Sequence, residues 1–145
     1  MKVKVKKLHP DAIIPRYQTE GAACFDLHAC EERPLVFAGV PIVIETGLAF
    51  EVPEDHVMMI FSRSGHGFTF DVRLANCVGV IDSDFRGPVK VKLTRDSAPS
   101  NILKVKKGDR IAQAMIIPIP RIELIESEEL SDTVRGSAGY GSTGQ

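Results

Sequence analysis

Apolar side chains in this chain recur at every second position. Val3 and Val5 are separated by a lysine, and Val89, Val91 and Leu93 alternate with Lys90 and Lys92. Period two puts successive side chains on opposite faces of a strand, whereas an amphipathic helix needs apolar residues three and four apart, a spacing almost absent here. The alternation predicts strands over 2–8, 23–30, 42–52, 56–62, 76–82, 88–93, 102–105, 110–117 and 121–126, separated by clusters of Gly, Pro, Asp and Asn. Many short strands at such intervals indicate an all-β sandwich or barrel. The nine prolines fall mostly at the ends of these runs, where a missing N–H breaks no ladder.

A chain of 145 residues fits one compact domain that buries about 68–70% of its unfolded surface, enough to fold without staples. The net charge of −1 leaves no excess of Lys and Arg to neutralise a run of phosphates, which argues against polymeric nucleic acid but not against a single nucleotide. The start, MKVKVKKLHP, has no continuous apolar stretch of the secretory kind, and no run is apolar enough for a membrane, so the expected location is intracellular, in the cytoplasm. Cys24, Cys30 and Cys77 match no zinc or disulfide spacing and read as reduced thiols. His9, His28, His56 and His66 form no pair at metal-ligand spacing.

The last ten residues, GSAGYGSTGQ, hold four glycines and no aliphatic side chain larger than alanine. Such a segment cannot offset the entropy of its own ordering by entering a core. It reads as a flexible arm over 135–145 on a β domain over 1–134. Strands 42–52 and 110–117 are apolar enough to be covered on both faces, which asks for partner surface and points to oligomerisation.

Five stretches carry polar chemistry. GVIDSDFRG at 79–87 sets Asp82 directly after Val80 and Ile81, where burial would make a carboxylate costly, in what reads as a hairpin connection whose aspartates are either turn formers or a site. FSRSGHG at 61–67 offers a guanidinium, a hydroxyl and closely approachable backbone N–H groups, a composition suited to an anion and equally to a plain loop. KGDRIAQ at 107–113 leads from a tight turn into a buried strand in which Gln113 needs partners. ACFDLHA at 23–29 places Asp26 on the strand face opposite Phe25 and Leu27, where an exposed carboxylate is usually structural. RGSAGYGSTG at 135–144 combines an arginine, an aromatic and hydroxyls on a segment able to close over a phosphate.

In order and approximate spacing, AACFDL, RSG, GVIDSDFRG, GDRIAQ and RGSAGYGSTG resemble the five motifs of the trimeric deoxyuridine triphosphatases. The resemblance runs from about residue 20 to the end, and its third and fifth motifs are the most specific. It implies a distorted β jelly-roll or barrel protomer in a homotrimer, each active site being built from all three chains and closed by one chain's arm. The implied reaction is hydrolysis of dUTP to dUMP and pyrophosphate.

By the same resemblance, Asp82 orients and activates the attacking water, and Arg63, Ser64 and Gly65 contact the α- and β-phosphates. Gln113 lies close to phosphates and metal, and Asp26 anchors a Mg2+ ion through water. Asn76, Gly79 and the neighbouring backbone read uracil in a slot too tight for a 5-methyl group, and Phe85 packs on the deoxyribose. In the arm, Arg135, Ser142 and Thr143 hold the γ-phosphate, while Tyr140 and Gly141 belong to the part that covers the base. The chain departs from the family at Cys24 (usually glycine), Ser62 (proline), Phe85 (tyrosine) and Tyr140 (phenylalanine). Two rival readings are a dCTP deaminase of the same fold, which needs a glutamate proton carrier not found in 76–87, and a non-catalytic nucleotide- or partner-binding module.

Overall fold

In a computed structural model of the protein, residues 1–33, 39–97 and 104–139 are described. Eight strands and one short helix follow in the order β1 (Lys4–Lys7), β2 (Phe25–His28), β3 (Ile42–Glu51), β4 (His56–Phe61), α1 (Ser64–Phe70), β5 (Val72–Leu74), β6 (Gly79–Ile81), β7 (Val89–Arg95) and β8 (Arg110–Pro118). They form two four-stranded antiparallel sheets, ordered β1-β3-β7-β5 and β2-β8-β4-β6. This is the all-β architecture that the alternation predicts.

The core fills the space between the sheets. Leu27, Met58, Ile111 and Ala112 from one sheet meet Ile44, Leu48, Val91 and Leu93 from the other, all essentially without solvent contact. Each such large side chain contributes about 1.5–3 kcal/mol relative to exposure. In β7, Val89, Val91 and Leu93 point inward while Lys90 and Lys92 point out, as their spacing requires.

Strand β3 breaks register against β7 between Glu45 and Leu48. The bulge needs Gly47, whose φ is +66° and whose missing Cβ would lie 2.8 Å from the His9 Cβ. Thr46 satisfies the disrupted ladder by donating its hydroxyl to the Val89 carbonyl at 2.6 Å and accepting the Leu48 N–H at 3.3 Å.

Four expectations are corrected. Segment 82–88 is not a hairpin connection, because β6 belongs to one sheet and β7 to the other; it is a crossover between the layers. A helix, α1, forms where a loop is expected from 61–67; none of its residues is buried, so it has no apolar stripe for periodicity to detect. The three-residue β5 is too short to show alternation. Residues 121–126 form no strand: β8 pairs with β4 as far as Pro118 opposite His56, Ile119 still donates to the Asp55 carbonyl at 2.8 Å, and Pro120 then offers no N–H to continue. Residues 102 and 103 of the expected strand over 102–105 lie outside the described residues, and Val105 makes an isolated bridge to Arg33. All three cysteines are free. Among the described residues no helix is long and apolar enough to cross a membrane.

Candidate active site

Strand β2 is an edge strand bonded to β8, and the register sets Asp26 opposite Gln113. Asp26 is only 8% exposed, which corrects the expectation of an exposed carboxylate. Two guanidinium groups make its burial tolerable: Arg63 Nε lies 3.3 Å from Oδ1 and Arg110 Nη1 lies 3.2 Å from Oδ2. Arg63 also donates from Nη1 to the Arg110 carbonyl at 2.9 Å, so the arginine at the N-cap of α1 is clamped to the start of β8. Gln113 donates from Nε2 to the Ser62 carbonyl at 2.9 Å, which supplies the partner its half-buried amide needs.

His66, on α1, lies with Nε2 3.3 Å from Arg63 Nη1. A guanidinium only donates, so Nε2 accepts and the proton resides on Nδ1. Burial, then the charge of Arg63, lowers the His66 pKa, with Asp109 opposing and Arg110 reinforcing. Burial also lowers the His28 pKa and raises that of the Cys24 thiol, the latter with help from Asp26. Ser62, where the family usually has proline, accepts the Leu74 N–H on its hydroxyl at 2.9 Å, tying β4 to β5 through a contact that proline lacks.

Ser62, Arg63, Ser64 and Gln113 line a cavity of about 480 Å3, with Phe68 and Arg73 at its edge. Ser64 and Gly65 are exposed in the first turn of α1. The structure thus brings together Asp26, Arg63, Ser64 and Gln113, and adds Arg110 and His66. Sequence reasoning gave these last two no role, because the pairing of His28 with Arg110 across β2 and β8 and the existence of α1 leave no local pattern.

Asp82 is elsewhere. It is exposed, which corrects the expectation of a carboxylate strained by burial; Val80 beside it is itself 59% exposed. It lines a separate cavity of about 840 Å3 together with Val52, Glu54, His56, Asp84 and Arg86. Ile81 pairs with Met58, so Asp82 comes level with Val57 at the start of β4, while Arg63 follows the other end of that strand. At about 3.3 Å per residue, the stretch from Val57 to Arg63 is roughly 20 Å long.

The base-reading candidates flank this strand. Asn76 donates from Nδ2 to the Val78 carbonyl at 3.2 Å, and its backbone carbonyl accepts the Val78 N–H at 2.7 Å, holding the turn into β6. Gly79 lies against Ile60, whose Cβ is 3.1 Å from where a Cβ on Gly79 would sit. The Phe85 ring folds over Gly87, 2.6 Å from the position of an absent Cβ. Arg86 ties the loop by donating from Nη1 to the Ser83 and Phe85 carbonyls. Arg135 donates from Nε to the Ala138 carbonyl at 3.0 Å. Tyr140, Gly141, Ser142 and Thr143 lie outside the described residues.

Among the described residues no group of three or more His, Cys, Asp or Glu side chains is arranged to cage a metal. A lone carboxylate beside cationic donors and an amide suits an ion that arrives on phosphate oxygens and keeps its waters, which is how Mg2+ binds.

Comparison with known proteins gives one consistent result. A family model described as dUTPase matches residues 10–144. The deoxyuridine 5'-triphosphate nucleotidohydrolase of Nautilia profundicola is 48% identical over 145 residues, covering all of both chains. That of Helicobacter pylori strain P12 is 42% identical over 144 residues, covering 99% of this chain and 97% of its own. Among solved structures, the dUTPase of Staphylococcus bacteriophage 80alpha with dUPNHPP superposes with a TM-score of 0.86 at 26% identity, covering 99% of each chain. With its two-sheet fold, its five motifs in order and relatives matched from end to end, this chain belongs to the dUTPase family.

Proposed function

We propose that the protein is a cytoplasmic dUTP diphosphatase that hydrolyses dUTP to dUMP and pyrophosphate, as a homotrimer whose active sites are shared between copies. The observation that carries the shared site is the separation of about 20 Å along β4 between Asp82 and the Arg63 cluster. The water that Asp82 activates and the phosphorus beside Arg63 must approach to about 3–3.5 Å, which supports a site that draws the two groups from different copies. A neighbour that sets its residue-82 loop against the Arg63 cluster completes the site. Exposed apolar side chains, Phe68 and Val80 on the body and Ile122 and Leu124 beyond β8, supply surface for that contact.

In this reading Arg63, Ser64 and the backbone of Gly65 hold the α- and β-phosphates. Arg63 is positioned before substrate arrives by its bonds to Asp26 and the Arg110 carbonyl, so little reorganisation is needed as charge develops. Gln113, its Nε2 fixed on the Ser62 carbonyl, keeps its amide oxygen for the waters around the phosphates. Asp82 takes a proton from water as the oxygen attacks the α-phosphorus; the bond to the bridging oxygen breaks and pyrophosphate leaves. When bound, Mg2+ supplies positive charge against the triphosphate, and Asp26 would hold it through a water. Asn76, Gly79 and the adjoining backbone read uracil, and Phe85 closes against the deoxyribose. The arm over 135–145, distinct from the domain over 1–134, places Arg135, Ser142 and Thr143 on the γ-phosphate and Tyr140 and Gly141 over the base.

Pyrophosphate release from dUTP, measured beside dCTP, dTTP and UTP with ammonia monitored, tests the assignment; dUTP turns over and no ammonia forms. Asp82→Asn retains dUTP binding and slows hydrolysis by about 10²–10⁴-fold. Near-normal turnover in that variant removes Asp82 from the chemistry.

A further inference from the structure

Strand β2 and the turn before β8 border another polar cavity, of about 560 Å3, whose lining includes Ile13, Ile14, Arg16, Gln18, His28, Asp109 and Arg110. It shares no lining residue with the cavity that holds Arg63, Ser64 and Gln113. Arg110 nevertheless joins the two, since its Nη1 pairs with Asp26 and its carbonyl accepts from Arg63.

The charged lining is two guanidinium groups, Arg16 and Arg110, against one carboxylate, Asp109. Arg16 has no ion-pair partner among the described residues. Asp26 is shared by two guanidinium groups, and Asp109 turns Oδ2 to the Lys106 backbone N–H at 2.8 Å while keeping its charge. His28 pairs with Arg110 across β2 and β8, so the imidazole and that guanidinium border the cavity together. The buried Nδ1 of His28 has no hydrogen-bond partner among the described residues. Among the described residues Gln18 donates from Nε2 to the Arg16 carbonyl, at a loose 3.5 Å. Ile13 and Ile14 wall part of the cavity with apolar surface, which lowers the local dielectric and strengthens attraction to a bound charge.

We propose that this cavity is a second anion site, taking a free phosphate-class anion, pyrophosphate or orthophosphate, with Arg16 and Arg110 as charged donors and Gln18 and His28 as neutral ones. An anion there competes with Asp26 for Arg110. On the reading given under Proposed function, the reaction's own product would then loosen the carboxylate placed beside the metal, and the site would report pyrophosphate back to the enzyme.

Calorimetric titration of the full-length protein tests this with pyrophosphate and, separately, orthophosphate, each with and without saturating dUPNHPP to fill the active sites. The wild type binds one anion per chain with the active sites filled, and Arg16→Ala weakens that binding by about tenfold or more while its affinity for dUPNHPP is unchanged. Binding of pyrophosphate identifies the product as the source, and binding of orthophosphate alone identifies the free phosphate pool. No anion bound once dUPNHPP is present, or equal binding by Arg16→Ala, overturns the site. Failure of dUPNHPP itself to bind strikes the function instead, and the titration without it still separates wild type from Arg16→Ala. In turnover assays, pyrophosphate inhibition has a noncompetitive component in the wild type and is purely competitive in Arg16→Ala; identical patterns count against the coupling through Arg110.

Discussion

The Arg63 guanidinium touches a carboxylate, an imidazole and a carbonyl at once, and the imidazole is the member that titrates. His66 must stay neutral to accept from Arg63. Because burial and the Arg63 charge lower its pKa in the folded protein, the unfolded chain binds protons that the folded one refuses once the pH drops below the ordinary histidine value. Stability is therefore full above about pH 6.5 and falls as the pH descends from there toward the depressed folded value. His28, lowered in the same direction, adds to the loss. Melting temperature followed from pH 8 to pH 5 should be flat at first and then decline, with a shallower decline in His66→Gln. Equal slopes in the two proteins would show that His66 is not a source of the linkage.

Among the elements, the crossover 82–88 carries the most consequence, since it leaves β6 in one sheet and enters β7 in the other. Gly87 lets the Phe85 ring fold back over the chain, and a methyl group there would meet ring carbons at 2.6 and 2.9 Å. Gly87→Ala should displace the ring and lower the ratio of kcat/KM for dUTP over UTP, chiefly through the KM for dUTP, with the melting temperature little changed. An unaltered ratio would dissociate Phe85 from sugar selection. This element also marks the limit of what the residue pattern reveals. Alternating valines and lysines in β7 announce a strand and its buried face, because side-chain direction is a local property. Whether the next strand pairs with the last depends on which sheet each joins, so Asp-Ser-Asp after Ile81 reads as a hairpin when it is a bridge between layers. Asp26, Arg63 and Gln113 were legible through their motifs; Arg110 was not, because its carboxylate partner is 84 residues away. Helix α1, with no buried residue and glycines at 65 and 67, gave periodicity nothing to find.

At the scale of the whole molecule, β4 acts as a spacer that holds Asp82 and Arg63 at opposite ends. Two variants inactive for different reasons should therefore rescue one another. Asp82→Asn and Arg63→Gln, unfolded together in equal amounts and refolded, should regain about a quarter of wild-type turnover through mixed trimers, because random assembly pairs an intact residue 82 with an intact residue 63 in that share of sites. No recovery in refolded mixtures of confirmed trimers would mean that each site draws both residues from one chain. The same spacer has a genetic corollary. In the trimer proposed above, a chain bearing both lesions would occupy one place yet spoil two sites, so a damaged allele expressed beside a sound one would depress the cell's capacity by more than its dose.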